Sequence, residues 1–409
     1  MFTATKRLPL ADRGPLKAMF VITSMPVGGA ETLLLNLIRR LDRERIHPEL
    51  CCLKQLGPLG EELAREIPTH DHLIGGKYDV AVWRRLAKLF RSRRIDAVVT
   101  VGAGDKMFWG RLAAWSARVP VVLSALHSTG WPDGVGRLNR LLTPITDGFI
   151  GVAKPHGEHL INNERFPAQK VFVIPNGVDV ERFQPRAECR IWLRKELGIS
   201  EDAPLVGIVA ALRHEKNHEL FLRAAAIVKQ ERPDAHFVIV GDGPERPRIE
   251  GWIAELGLQN CVHLLGTRSD TPQILAAWDA FALTSHNEAN PVSILEALAC
   301  EVPVVATRVG SIPETVVSDE TGYLATPGNA EEIAGHLLRL ISDSKHARQL
   351  GATGRRRVVE RWSLDAMVRG YTELIETIYE RKANPSRVPA VNNAGWQVEA
   401  LRDECRLGP

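Results

Sequence analysis

Short β-rich apolar runs alternate with amphipathic segments along the whole chain. In the first half the runs are MFVIT (19–23), ELCCL (49–53), DAVVTVG (96–102), PVVLSALH (120–127), GFIGVA (148–153) and VFVIP (171–175). They are continuously apolar, as strands of a parallel sheet covered on both faces must be. The segments between them read as helices. Val82, Leu86, Leu89 and Phe90 share one helical face, while Arg84, Arg85, Lys88 and Arg91 lie opposite. This rhythm predicts βαβ units. It restarts after the breaker cluster Pro175-Asn176-Gly177-Val178-Asp179, with LVGIVAAL (205–212), HFVIVGDG (236–243), VHLLG (262–266), AFALTS (280–285), PVVAT (303–307) and TGYLATP (321–327). The expected fold class is therefore α/β, two Rossmann-like doubly wound domains, residues 1–177 and 178–363. Residues 364–382 have the apolar spacing of a packing helix, and 383–409, rich in Asn, Pro and isolated charges, read as a tail.

At 409 residues the length suits two or three domains of about 150 residues each. Gly (33) and Pro (25) occur in ordinary proportion, which excludes collagen-like and largely disordered chains. No apolar run reaches the roughly 18–20 residues that cross a bilayer, and the basic N-terminus has no secretory h-region, so a cytoplasmic protein is expected. Cys51, Cys52, Cys189, Cys261, Cys300 and Cys405 show no CxxC spacing and read as buried thiols. The formal charge of +3 hides an asymmetry. Residues 1–175 carry 25 Lys and Arg against 16 Asp and Glu (+9), and residues 176–409 carry 27 against 33 (−6). A basic first half suits an anionic membrane surface or a phosphate-bearing acceptor, and equally suits ordinary solvated helix faces.

In open α/β sheets, ligands bind beyond the carboxyl ends of the strands, so the residues there are the candidates for chemistry. Gly28 and Gly29 join the first strand to its helix, where bare backbone and helix amides can approach a phosphate. A tight βα turn also needs glycine on steric grounds alone. His127 stands where the strand 120–127 runs out. Arg213 and Lys216 lie three apart at a second βα junction and can place fixed positive charge beside a diphosphate. The densest group is Thr284-Ser285-His286-Asn287-Glu288-Ala289-Asn290-Pro291-Val292-Ser293-Ile294-Leu295-Glu296. Asn290 is placed to cap a helix and Pro291 to start it, leaving Glu288 in the loop and Glu296 on the second turn. The free amides of Val292 and Ser293 would then form an anion site flanked by two carboxylates, each able to accept bonds from a diol.

Taken in order, Gly28-Gly29-Ala30-Glu31, the strand-end His127, Pro175-Asn176-Gly177, the Arg213/Glu215/Lys216 turn, Val240-Gly241-Asp242-Gly243-Pro244, Glu288-x7-Glu296 and Pro303-Val304-Val305-Ala306 resemble retaining glycosyltransferase family 4. The resemblance covers roughly residues 18–381. It implies the GT-B architecture, two Rossmann-like domains facing across a cleft, with acceptor on the first and nucleotide-sugar donor on the second. The helix at 364–382 is expected to pack back toward the first domain. By the same resemblance Lys216 would neutralise the departing diphosphate and Glu296 would hold the ribose diol. Glu288 would sit by the donor sugar's hydroxyls, and His127 near its reacting carbon. Asn290, Pro291, Val292 and Ser293 would cradle phosphate, and Gly28 and Gly29 would face the donor. Gly266, Thr267 and Arg268 lie where relatives grip the base through backbone.

The sequence departs from the family at Ala211, commonly arginine, at Ala289, commonly glycine, and at Val309-Gly310, commonly a glycine pair. Arg213 is the candidate to replace the arginine missing at Ala211. No acidic pair stands at a strand end for a divalent ion, so no metal and no cofactor are expected, the nucleotide-sugar (UDP or GDP) being substrate. The implied activity is hexosyl transfer to a saccharide or lipid-linked acceptor in cell-surface polysaccharide or glycolipid synthesis. The expected place is the cytoplasm, with peripheral contact at the inner membrane face and no nucleic acid partner. The alternatives are a catalytically silent nucleotide-sugar binder and a sugar-nucleotide epimerase of the same architecture. An NAD-dependent oxidoreductase is disfavoured, since G-x-G-x-x-G is absent.

Overall fold

A computed structural model describes residues 8–76, 79–102, 104–126 and 136–385. The chain divides into two compact units, one of Met1–Asn176 with Asp365–Pro409, the other of Gly177–Leu364.

The first unit holds β1 (Leu16–Ile22), β2 (Ile46–Cys52), β3 (Thr69–His70), β4 (Ala97–Val101), β5 (Val121–Ala125), β6 (Gly148–Gly151) and β7 (Val171–Val173). Its helices are α1 (Gly29–Arg40), α2 (Gly57–Leu63), α3 (Val82–Arg93), α4 (Asp105–Ala117), α5 (Gly136–Leu141) and α6 (Lys154–Asn162). The sheet is parallel, in the order β3-β2-β1-β4-β5-β6-β7. Its central strands are covered on both faces, and every residue of β4 and β5 is buried. That burial is why their sequences run continuously apolar. Val82, Leu86 and Phe90 of α3 are buried as their spacing predicts.

The second unit holds α7 (Ala187–Leu197), β8 (Leu205–Val209), α8 (His218–Glu231), β9 (His236–Val240), α9 (Arg246–Glu255), β10 (Val262–Gly266), α10 (Thr271–Ala276) and β11 (Ala280–Leu283). It continues with α11 (Val292–Ala299), β12 (Val304–Thr307), α12 (Ile312–Thr315), β13 (Gly322–Ala325), α13 (Ala330–Ser342) and α14 (Ser344–Arg361). The sheet order is β10-β9-β8-β11-β12-β13, again parallel. Two parallel, doubly wound sheets of seven and six strands make the α/β class.

The last helix, α15 (Leu364–Ala383), belongs from Asp365 onward to the first unit. Within that unit Glu380 accepts from the Leu10 backbone N–H at 2.8 Å, the Arg13 guanidinium donates to the Tyr379 hydroxyl at 2.7 Å, and Lys382 Nζ donates to the Pro120 carbonyl at 2.7 Å. Tyr371 and Tyr379 are buried against it.

Several readings of the chain shift. β3 is a two-residue edge strand, too short for periodicity to reveal. β8 stops at Val209, short of the apolar Ala210-Ala211-Leu212, and β9 stops at Val240, before Gly241-Asp242-Gly243, because the chain turns into the carboxyl-end loops there. Five of the six cysteines, Cys51, Cys52, Cys189, Cys261 and Cys300, are free and buried, whereas Cys405 lies outside the described residues.

Candidate active site

In the second sheet the strand order reverses between β8 and β11, so the loops leaving those two strands diverge and open a crevice at their carboxyl ends. The loop after β8 carries Arg213 and Lys216, and the loop after β11 carries Glu288. They meet across 72 positions of sequence, where Lys216 Nζ donates to Glu288 Oε1 at 2.6 Å. Ser285 Oγ donates to the same oxygen at 2.7 Å. Glu288 is buried and Lys216 half-buried, so the pair is neutralised in a partly desolvated setting.

Backbone geometry holds both partners in place. Lys216 ends a single 3₁₀ turn, His214–Lys216, and Asn217 beyond it takes the left-handed conformation (φ 48), which asparagine tolerates. Thr284 Oγ1 donates to the Asn217 carbonyl at 3.0 Å, and the His286 N–H to the Glu215 carbonyl at 2.9 Å, tying the two loops together. Gly310 clamps the other side. Its φ is +52, and a Cβ there would stand 1.8 Å from the Glu288 carbonyl oxygen, so both conformation and space require glycine. The Ser311 N–H donates to that carbonyl at 3.2 Å, and Ser311 Oγ donates to the Ala289 carbonyl.

The helix α11 begins one residue later than the sequence suggests. Pro291, extended at φ −73 and ψ 112, is its N-cap, and no side chain caps the end. Because Pro291 is extended and takes the N-cap position itself, Asn290 stands one residue outside the helix and does not cap it. The helix-start amides of Val292 and Ser293 precede the first intrahelical bonds, and the Ile294 N–H is already used by the Pro291 carbonyl at 3.2 Å. Glu296 sits on the second turn with its carboxylate in no hydrogen bond among the described residues. Desolvation outweighs a weak pull from Arg182 and pushes its pKa up to about 7.

The remaining predicted residues fall into place unevenly. The Arg213 carbonyl accepts from the Lys216 N–H at 3.0 Å, but its guanidinium makes no bond to Lys216 or Glu288 among the described residues. Its exposed side chain approaches Glu215 at 3.9 Å instead. Gly266 (φ +66) ends β10 and its carbonyl accepts from the Gly241 N–H at 2.8 Å, while Thr267 is exposed. Arg268 is fastened by Asp270 at 2.8 and 2.6 Å and by Glu196 at 2.8 Å, which leaves backbone, not its guanidinium, for a ligand at this edge. Ser311 was missed by sequence reasoning, and Ser285 and Gly310 were noticed without these roles, since the roles depend on contacts between loops distant in sequence.

In the first unit the strand order reverses between β1 and β4, and Gly28 and Gly29 stand at the end of the β1 loop. Steric need does not explain them. A Cβ on Gly29 would meet nothing within 4 Å, one on Gly28 would meet only the flexible end of Glu31, and neither has a left-handed φ. His127 lies outside the described residues.

Residues 27–182 match the family model described as Glycosyltransferase Family 4, and residues 191–357 the model described as Glycosyl transferases group 1. The chain is also 34% identical over 313 residues to the N-acetyl-alpha-D-glucosaminyl L-malate synthase of Bacillus anthracis, covering 74% of this chain and 79% of that protein. The chain belongs to glycosyltransferase family 4. This glycosyltransferase is 28% identical to the Escherichia coli UDP-Gal:alpha-D-GlcNAc-diphosphoundecaprenol alpha-1,3-galactosyltransferase, over 78% of this chain and 86% of that one. Its fold is that of Anabaena HepE, solved in complex with UDP and glucose, with a TM-score of 0.77 at 23% identity over 88% of this chain and 99% of that chain. The two Rossmann-like units of the glycosyltransferase are thus those of the GT-B architecture.

Proposed function

We propose that this hexosyltransferase binds a UDP- or GDP-sugar on its second unit and passes the sugar, with retention at the anomeric carbon, to a saccharide or lipid-linked acceptor. The observation that carries the reading is the meeting of Lys216 and Glu288 at the strand-order reversal, beside the start of α11 and the unpaired carboxylate of Glu296.

The reaction breaks the bond from the anomeric carbon to the diphosphate, leaving negative charge on the phosphate and positive character on the sugar. An ammonium has three donors, so Lys216 can keep Glu288 and still reach a phosphate oxygen. With the amides of Val292 and Ser293 it offers fixed positive charge where the leaving group gains its own. These groups supply that charge from the protein, so the step needs no divalent ion and no cofactor. Glu288, held through one oxygen by Lys216 and Ser285, keeps its other oxygen for the sugar's hydroxyls. Glu296 accepts both hydroxyls of the ribose. The acceptor oxygen attacks on the face the diphosphate leaves, its proton passing to the departing phosphate oxygen as the new C–O bond forms. In this scheme His127 makes the contact with the donor sugar that the family resemblance implies.

A lipid-linked acceptor at an anionic membrane, in cell-surface glycan synthesis, is the favoured setting. What supports it is the outer face of α3, with Arg84, Lys88 and Arg91 exposed, the exposed Arg94 just past its end, and Trp115 of the neighbouring α4 56% exposed. No helix among the described residues is long and apolar enough to cross a membrane. Incubating the protein with UDP- and GDP-hexoses and an undecaprenyl-diphosphate-linked sugar, with EDTA present, tests the whole reading. It predicts nucleoside diphosphate release matched by glycosylated lipid of unchanged anomeric configuration. Donor binding without transfer would instead identify a silent binder.

A further inference from the structure

With the diphosphate at Lys216 and the start of α11, and the ribose at Glu296 on the second turn of that helix, the base of a donor must run on along the carboxyl edge of the second sheet. Arg182 shows on which side. Its Nη2 donates to the Ser269 carbonyl at 3.3 Å, and its charge reaches the Glu296 carboxylate, so the loop that leaves β10 stands beside Glu296.

In that loop Gly266, left-handed at φ +66, has an open face. Around the place of a Cβ on it, chain neighbours aside, the one atom within 4 Å among the described residues is Nη1 of Arg246, at 3.9 Å. Arg246 opens α9, at the end of the turn that follows β9, and the Gly241 N–H of that turn donates to the Gly266 carbonyl at 2.8 Å. Backbone therefore holds the two loops together while a guanidinium overlooks the space above them. That guanidinium is held without being used up. Nε donates to Glu250 Oε1 at 2.9 Å, one helical turn on, and Nη1 stands 3.7 Å from Asp242, too far for a hydrogen bond. Asp242 is bound back to its own turn, its Oδ1 accepting from the Gly243 N–H at 2.7 Å. The other cation of this edge, Arg268, is spent on Asp270 and Glu196.

A guanidinium donates and cannot accept. It meets a base favourably at a carbonyl oxygen, O4 of uracil or O6 of guanine. At an exocyclic amino group, N4 of cytosine or N6 of adenine, donor would face donor. We propose that Arg246 is a specificity-determining residue of the donor site, whose guanidinium meets the keto oxygen of the base over Gly266 and so selects uracil and guanine nucleotides over adenine and cytosine ones. The inference rests on the donor reading above and adds to it the group that tells the bases apart.

The test is isothermal titration calorimetry of the full chain with UDP, GDP, ADP and CDP. Wild type should bind UDP or GDP at least about tenfold more tightly than ADP and CDP, within the usual worth of a good base contact. Arg246→Ala should lose about that factor for the keto nucleotide and little for ADP and CDP, so that the preference collapses, and Arg246→Lys should restore part of it. Glu250→Ala removes the exposed pair along α9 and keeps the guanidinium, so it should retain the wild-type preference. A structural or general electrostatic role for Arg246 predicts equal losses for all four diphosphates. That result, the wild-type preference in Arg246→Ala, or tightest wild-type binding of ADP or CDP overturns the assignment and leaves the donor reading standing. Binding of none of the four overturns both, so the two failures are distinguishable.

Discussion

Glu296 offers a quantitative handle, because its role in donor binding requires the carboxylate form while its surroundings favour the acid. With a pKa of about 7 in the free protein, only about one molecule in eleven is ionised at pH 6, against about ten in eleven at pH 8. A ribose diol that donates to both oxygens selects the ionised form and pulls the pKa down in the complex. Linkage then requires the donor dissociation constant to be about tenfold weaker at pH 6 than at pH 8. The diphosphate of an intact nucleotide-sugar is a diester that does not titrate in this range, so the sugar nucleotide, not the free nucleoside diphosphate, is the right ligand. Isothermal titration calorimetry across pH 6–8 measures both the affinity and, in two buffers, the proton released. Glu296→Gln, fixed in a neutral form, should lose roughly 1.5–3 kcal/mol at pH 8, the usual worth of hydrogen bonds to a charged group. It should show little pH slope and come close to wild type at pH 6. A flat wild-type profile, or a slope retained by Glu296→Gln, would refute the assignment.

Other expectations follow from the same geometry. Lys216→Ala should lower the single-turnover transfer rate by roughly 10²–10³, as the loss of one preorganised electrostatic donor does elsewhere, with donor affinity less affected. Wild-type single-turnover kinetics would remove it from the site. Gly29→Ala adds a Cβ that touches nothing, so its melting temperature should match wild type while KM for donor or acceptor rises. Gly310→Ala should do the opposite, losing stability by roughly 1–3 kcal/mol or more because the new Cβ would strike the Glu288 carbonyl at a left-handed φ. Equal melting curves for both variants would contradict this contrast. His218 and His236, both pressed down to about 4 mainly by burial, and His263, also lowered, are neutral in the fold. Their unfolded values lie higher, so the second unit should keep this contribution above pH 6.5 and lose it as pH falls toward 4. Hydrogen exchange of β9 and β10 that stayed equally slow from pH 7 to 4.5, after correction for intrinsic rates, would contradict it.

The strands were legible where burial on both faces leaves only apolar side chains. β10 spans Val262–Gly266 as its sequence suggests, while β8 ends before the apolar Ala210-Ala211-Leu212, which belong to the turn after it. Thr69–His70 carried no signal, being two residues at a sheet edge. At the site, motif order supplied the parts and the fold supplied their relations. The spacing of Glu288 and Glu296 placed one in a loop and one on a helix, but nothing local says that Lys216 is the partner of Glu288. Equally, no pattern tells that Arg268 is fastened by Asp270 and Glu196, or that the Arg213 side chain faces Glu215. The asparagine before Pro291 illustrates a narrower failure, since the extended conformation of Pro291 shifts the helix start by one residue, and nothing local distinguishes that register from the one with proline in the first turn.

The most direct measurement of the central claim is transfer itself. Purified protein is given one nucleotide-sugar at a time from a UDP and GDP series, with a glycolipid acceptor and EDTA, and the anomeric configuration of the product is read by NMR. The account predicts one donor series to be consumed without added metal, the α-linked donor giving an α-linked product, with Lys216→Ala slow and Glu296→Ala weak in donor binding. Consumption of donor without acceptor, transfer with inversion, or strict dependence on a divalent ion would contradict it.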